Sequence, residues 1–364
     1  MSNFTRRGVL TAAISGAATA ALTGNAWSRT PPPQSLIRLS SNENPYGPSP
    51  AALKAARETA ARGAYYSWDL RTAFRDAIAD GEGVSRDNVV ISTGSNEALC
   101  AATAAWGKEG RILAPSLTYS SHLMYARRAG LSVQTLPLRS DLAIDLAAMA
   151  AAVTDDTSLV YVCNPNNPTG LPLDGAELRD FCREVGKRAT VLVDEAYNEL
   201  AEDPASATVM DLVKADENVI VTRTFSKVYG MAGMRMGYAM GRSDLMEKLR
   251  SHVMSWPSSI ALAAGIASYG DEEFVAFSRQ QIDSGRKIVN DCLRQHGVEP
   301  LPSSTNFVYA DIGRSAAEFG NQMRNSGVMI GRVFAGYPNH IRVSMGRLED
   351  LRAFSRIFGE VYTA

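Results

Sequence analysis

Lys227 closes the run Thr224, Phe225, Ser226, Lys227, and Arg235 follows eight residues later. A lysine amine attacks an aldehyde only when part of its population is neutral, which burial or a neighbouring positive charge achieves by lowering its pKa. Arg235 and the flanking hydroxyls supply such a setting. Just upstream, the apolar run from Val219 to Thr222 reads as a buried strand. Lys227 therefore stands where strand gives way to loop, the place at which open α/β sheets hold ligands. A surface lysine beside a strand is the plain alternative, and three further motifs weigh against it.

In VLVDEAY, the strand Val191 to Val193 delivers Asp194 at its end, with Tyr197 three residues later. A carboxylate there could keep a pyridine nitrogen protonated and make the ring an electron sink, or it could simply cap the next helix. In CNPNNPTG, residues 163–170, two prolines fix a turn after the strand Leu159 to Val162, and Gly170 releases it. That turn presents Asn167 rigidly at a strand end. In ISTGSNEAL, the strand Val89 to Ser92 passes through Gly94 into a helix beginning near Ser95 and Asn96. Free amides and the helix dipole at such a start suit a phosphate.

A glycine-rich turn, NPTG, DxAY, SK and an arginine eight residues after the lysine occur here in the order found in fold type I, class I and II aminotransferases, which use pyridoxal 5'-phosphate (PLP), and the chain resembles that family from about residue 36 onward. The resemblance implies that Lys227 is catalytic, linking to the cofactor aldehyde and then shuttling the substrate proton. It implies that Asp194 pairs with the pyridinium nitrogen and that Asn167 and Tyr197 contact the ring oxygen. The phosphate would be held by the Ser95 and Asn96 amides, Thr224, Ser226 and Arg235. Small-molecule partners follow, an amino donor and a 2-oxo acid acceptor. PLP-dependent decarboxylation, racemisation or oxidation of an amino acid, or cofactor binding without turnover, is the alternative.

Within that family the histidinol-phosphate aminotransferase branch is the most similar. LSSNENPYGPSP, residues 39–50, resembles the arm lining the branch's substrate pocket and points to Asn44. Tyr119 matches the aromatic stacked on the cofactor ring, and Tyr66 matches the tyrosine that crosses a homodimer interface to the neighbour's cofactor phosphate. Arg342, in HIRVSMG, matches the arginine that grips a carboxylate, for which its planar fork is suited. Arg332 aligns with a position reaching toward the substrate's distal anion, or is an edge residue on the surface. Three departures stand out: Ser67 replaces a proline, Asn96 a common Asp, and Arg347 a small hydroxyl residue.

The elements that must carry these groups are legible in the apolar pattern. Strands near 89, 111, 132, 158, 190, 219 and 236 alternate with helical stretches, which predicts a doubly wound, mostly parallel α/β sheet followed by a smaller α+β domain. A helix is expected from Ser243, as N-cap, to about Met254, ending before Pro257. The expected organisation is a signal over 1–26, a linker and arm over 27–60, a large cofactor-binding domain over 61–254 and a small domain over 255–364.

Arg6 and Arg7, the mild Ala- and Gly-rich stretch to Gly24 and the small residues after it resemble a twin-arginine export signal. A periplasmic or otherwise exported enzyme is therefore expected, with a cytoplasmic protein bearing an amphipathic N-terminal helix as the alternative. Histidine biosynthesis is cytoplasmic, so an exported relative would serve another amino donor. With a net charge of −1 over 364 residues and no basic stripe in the sequence, nucleic acid is not expected as a partner. Cys100, Cys163, Cys182 and Cys292 lack metal-site spacing, as do the four histidines, so no metal is expected and the thiols should be mostly buried and free.

Overall fold

The computed structural model describes residues 36–363. The expected signal over 1–26 and the proline-rich linker up to Ser35 lie outside them. Eleven strands occur in chain order: β1 (Ile37–Leu39), β2 (Val89–Ser92), β3 (Arg111–Pro115), β4 (Val133–Leu136), β5 (Thr157–Cys163), β6 (Thr190–Asp194), β7 (Val219–Thr224), β8 (Gly237–Gly241), β9 (Phe307–Asp311), β10 (Val328–Ile330) and β11 (His340–Ser344). Seven form one sheet in the order β2-β8-β7-β6-β5-β3-β4, in which only β8 runs antiparallel to its neighbours.

This sheet is covered on both faces, which explains why its central strands read as continuous apolar runs. Alternate side chains of β6 and β7 feed two cores. Val191, Val193, Val219 and Val221 join one with Phe74, Leu178 and Phe181, while Leu192 and Ile220 join the other with Leu99, Trp106 and Leu249. Register then aligns the functional strand ends. Cys163, Asp194 and Thr222 lie side by side across β5, β6 and β7, and Thr224, Gly237 and Ser92 do so across β7, β8 and β2.

A third core belongs to the small domain, where β9 pairs antiparallel with β11 and β1 pairs parallel with β10. The helices Glu272–Gln295, Ala316–Asn325 and Leu348–Thr363 pack on it. Two expected boundaries move. The helices Pro50–Ala60 and Ser259–Ser268 contribute Ala52, Ala56, Ala261, Leu262 and Ala264 to the first large-domain core, so neither arm nor small domain contains them. Conversely β1, inside the expected arm, is part of the small domain. The helix expected at 243–254 runs Ser243–Arg250, with Arg242 rather than Ser243 as its cap. It ends early because the Met254 and Ser255 amides are held by Glu97 at 3.2 and 3.0 Å. Cys163, Cys182 and Cys292 are buried and Cys100 partly so, all four as free thiols.

Candidate active site

Ten of the eleven residues nominated from the sequence as cofactor ligands line one cavity of about 270 Å³ at these aligned strand ends: Ser95, Asn96, Tyr119, Asn167, Asp194, Tyr197, Thr224, Ser226, Lys227 and Arg235. The eleventh, Tyr66, stands apart, 86% exposed beside Trp68 and Trp256.

At one end of the cavity is a cradle of donors. The helix Ser95–Trp106 starts there, and its first amides have no partner within the helix. Two glycines permit the approach. A Cβ on Gly237 would stand 2.2 Å from the Ser95 nitrogen, and one on Gly94 would stand 2.5 Å from Arg235 Nη2. Arg235 holds left-handed backbone with φ 59° and donates from Nη1 to the Ala232 carbonyl at 2.9 Å. Strain of that kind persists where surrounding structure enforces it, often at functional sites. The Thr224 and Ser226 hydroxyls, 2.9 Å apart, complete the cradle.

At the far wall Asp194 is fully enclosed. Thr222 donates its hydroxyl to Oδ1 at 3.0 Å and Tyr161 its hydroxyl to Oδ2 at 3.3 Å. Burial pushes this carboxyl up to about 6, with the Thr222 and Tyr161 hydroxyls and the Lys227 charge opposing. It caps no helix; it faces the cavity. Beneath it His122 is wholly buried with neither ring nitrogen bonded, and burial holds it down at about 3, as a neutral ring. It packs edge-on against Tyr161 at 4.2 Å and stacks on Tyr119 at 6.1 Å. The sequence reading passed over His122, although its spacing three residues after Tyr119 was available.

Lys227 Nζ donates to the Asn42 carbonyl at 3.2 Å and lies 5.4 Å from the Tyr197 ring centre. Burial first, then the positive charges of Arg342 and Arg235, pull its pKa down to about 8 against the pull of Asp194 and Glu43. A substantial neutral fraction at physiological pH is what a nucleophilic amine requires. Tyr197 accepts from Asn42 Nδ2 at 3.0 Å and from Asn167 Nδ2 at 3.4 Å, and burial raises its pKa.

Arg342, 8% exposed, sits next to the cavity: Nη1 donates to Asn167 Oδ1 and Nη2 to the Ser40 carbonyl, both at 2.8 Å. Arg332 is exposed, stacked over Phe334 at 5.1 Å, and shares with Arg342 and Arg324 an open groove of about 560 Å³. Asn44 is not brought to the cavity wall. Its amide donates to the Val228 carbonyl at 2.8 Å and to Ser278 Oγ at 3.0 Å, and its oxygen accepts from the Tyr46 amide, so it braces the arm. Asn42, which does not line the cavity either, bonds Tyr197 of the cavity wall through its side chain and Ser344 through its amide and its side chain. Its left-handed φ of 55° points it inward, and a period-based reading of an irregular arm carries no signal for that.

Directly behind the site lies a charge network that the sequence reading missed. Arg223 grips the fully buried Glu195 through Nη2 at 2.9 Å and Nε at 3.1 Å, and reaches Glu82 at 2.7 Å. Glu195 also accepts from Thr208 and the Val209 amide. Because Glu195 follows Asp194 and Arg223 precedes Thr224, this network fixes the two strand ends that carry the site.

The donor set fits a phosphorylated pyridine aldehyde. Amides, hydroxyls and a guanidinium would hold the phosphate, a buried carboxyl would pair with the ring nitrogen, and a lysine of lowered pKa would meet the aldehyde. The model for the family "Aminotransferase class I and II" matches residues 34–357. The chain is 35% identical over 324 residues to a histidinol-phosphate aminotransferase of Symbiobacterium thermophilum, covering 88% of each chain. It is 36% identical over 322 residues to an aromatic amino acid aminotransferase of Rhodococcus opacus, covering 87% of this chain and 88% of the relative. The structure of histidinol-phosphate aminotransferase from Sinorhizobium meliloti in complex with pyridoxal-5'-phosphate superposes with a TM-score of 0.82 at 28% identity, covering 90% of this chain and 91% of that one. With the lysine, carboxylate and phosphate cradle assembled in one cavity, the chain belongs to the class I and II aminotransferases and is a PLP-dependent enzyme.

Proposed function

We propose that this aminotransferase takes an amino donor whose anionic group is gripped by Arg342, and that it works as an exported homodimer. The observation that carries the donor reading is the position of Arg342, buried and bonded to Asn167 of the cavity that holds Lys227 while it lines the open groove beside Arg332. A carboxylate or phosphate entering there would take over the bidentate fork.

Pyridoxal phosphate, when bound, supplies an aldehyde that condenses with amines and a ring that takes up the electron pair freed from a substrate C–H bond. Asp194, held in place by Thr222 and Tyr161, would pair with the ring nitrogen. Lys227 Nζ would take up and return the substrate proton as general base and then acid. Asn167 and Tyr197 would hold the ring oxygen, and Tyr119 would supply an aromatic surface for the ring. The product would be the carbonyl compound matching the donor, a 2-oxo acid from an amino acid or a ketone phosphate from histidinol phosphate, and a 2-oxo acid would serve as the acceptor.

The named relatives support a donor of histidinol-phosphate or aromatic amino acid type, and the Phe334 ring shared by Arg332 and Arg342 supports a flat side chain. Arg332 would meet a distal anion. Absorbance spectra of the PLP-loaded protein with single donors (histidinol phosphate, aromatic and acidic amino acids) test this. Conversion of the cofactor to its amine form by one donor identifies the class; no conversion by any of them, with carbon dioxide released instead, would replace transamination by decarboxylation.

The exposed face of Tyr65, Tyr66, Trp68, Met254 and Trp256 supports pairing with a second copy, Tyr66 reaching the neighbour's cofactor phosphate. A fully active monomer in light scattering would refute it. Export rests on Arg6 and Arg7, and among the described residues no helix is long and apolar enough to cross a membrane. Recovery of the uncleaved protein only from the cytosol of its host would refute export.

A further inference from the structure

Three arginines of the large domain converge away from the catalytic cavity, and among the described residues none of them is bonded to an acid; Asp76 and Asp87 act on Arg75 only from a distance. Arg71 and Arg75 stand one turn apart on the helix Trp68–Glu82, and Arg250 ends the helix Ser243–Arg250. Together with Trp256 they line a small cavity of about 40 Å³ floored by Val89, Val90 and Ile91 of β2 and by Val253. Among the described residues none of the three has a carboxylate within 4.0 Å, and Arg250 Nη2 is buried with no hydrogen-bond partner. The nearest acid on the same helix, Asp76, is taken by Arg86 at 2.5 and 2.7 Å.

The separate placements have partial explanations. Arg71 lies over the Trp256 ring at 4.2 Å, and Arg250 answers a helix C-terminus. Neither explains Arg75 or the orphaned Nη2. Like charges one turn apart oppose a helix, and a buried unpaired donor costs folding energy. A cavity needs about 10–15 Å³ of such space per water, so this one accommodates roughly three waters or one oxyanion head.

We propose that the Arg71, Arg75 and Arg250 cluster is a binding site for an oxyanion, a carboxylate or a phosphate. Burial lowers the pKa of both Arg71 and Arg75, Arg71 also through the charges of Arg75 and Arg250, and Arg75 through those of Arg250 and Arg86 against the opposing pull of Asp87 and Asp76; an added anion would reverse that direction. Two sources carry this chemistry. Arg71 and Trp256 also line the aromatic surface around Tyr66, so an acidic side chain of a second copy can reach the cluster; that source rests on the dimer reading. Free phosphate is the other and does not depend on it.

The test uses the PLP-loaded full chain and the variants Arg75→Gln and Arg250→Gln, melted in chloride and in inorganic phosphate at equal ionic strength, with the dimer constant measured by sedimentation. If free phosphate binds, the wild type gains about 2 °C or more in phosphate and both variants lose the gain. If a neighbour's carboxylate binds, phosphate changes nothing and both variants dimerise at least about tenfold more weakly. The proposal fails if both variants keep the wild-type dimer constant and melt at or above the wild type in both salts, the result for charges that merely repel. Should Arg75→Gln not fold, Arg75→Lys keeps the charge without the fork and carries the same two readouts.

Discussion

Replacing Asn42 tests the account of the arm through two substitutions that separate contacts from backbone. Its side chain donates to Tyr197 at 3.0 Å and accepts from Ser344 at 2.8 Å, and its backbone sits at φ 55°. Each partner keeps one other bond, Tyr197 to Asn167 and Ser344 to the Asn42 amide, so truncation costs near the low end, about 1 kcal/mol per bond. Asn42→Gly should therefore lose about 2 kcal/mol. Asn42→Ala loses the same two bonds and adds left-handed strain of about 1–2 kcal/mol, partly offset by the entropy Gly loses on folding. Ala should thus fall below Gly by about 0.5–1 kcal/mol, the reverse of their usual order. With a urea slope near 3 kcal/mol/M, the two midpoints lie roughly 0.7 and 1 M below wild type. Equal midpoints for Ala and Gly, or Ala the higher, would refute the left-handed arm, and wild-type midpoints for both would refute the contacts.

Three further outcomes are expected. Gly237→Ala should push Ser95 away from the cradle and weaken PLP binding about tenfold or more while the sheet stays folded, as equilibrium dialysis with circular dichroism would report. Arg223→Ala strands the buried Glu195 and should cost about 3–5 kcal/mol of stability; a loss under about 1 kcal/mol in denaturant titration would contradict the network. In cofactor-free protein, Asp194 titrates near 6 when folded and near 4 when unfolded. The folded state therefore binds more protons between these values, and its stability should fall as pH rises from 4 to 6, by at most about 3 kcal/mol. Asp194→Asn should flatten that slope, seen in melting curves across the window.

The cavity was legible because its ligands are tied to strand ends, where local apolar runs and turn residues fix position within one or two residues. Lys227, Asp194, Asn167 and Ser95 each follow a buried strand; parallel register aligns the ends of β5, β6 and β7, and antiparallel β8 joins the end of β2 to them. The arm was not legible in that way. Residues 40–49 form no regular element, so nothing in their pattern separates Asn42 from Asn44, and a single left-handed residue decides which faces inward. Glu195 and Arg223 were invisible for another reason. Each neighbours a chemical residue and looked like part of the same motif, whereas alternation along the strand sends it to the opposite side. The domain boundary slipped because an Ala-rich helix such as Ser259–Ser268 packs equally well on either core until its partner, Pro50–Ala60, is known.

The arm closes the catalytic pocket against residues made long after it. Asn42 meets Ser344, and Ser40 meets Arg342, across 302 residues, and Asn306 Nδ2 grips the Asn42 carbonyl that also receives Lys227. Contacts so distant in sequence form late, after both domains have paid their loop-closure entropy. A nascent chain can therefore build the seven-stranded sheet, cradle included, while the lysine's enclosure is still missing. Full enclosure of the lysine would then wait for β11, and anything attached ahead of β1 would be carried by a strand whose partner, β10, is made long after it.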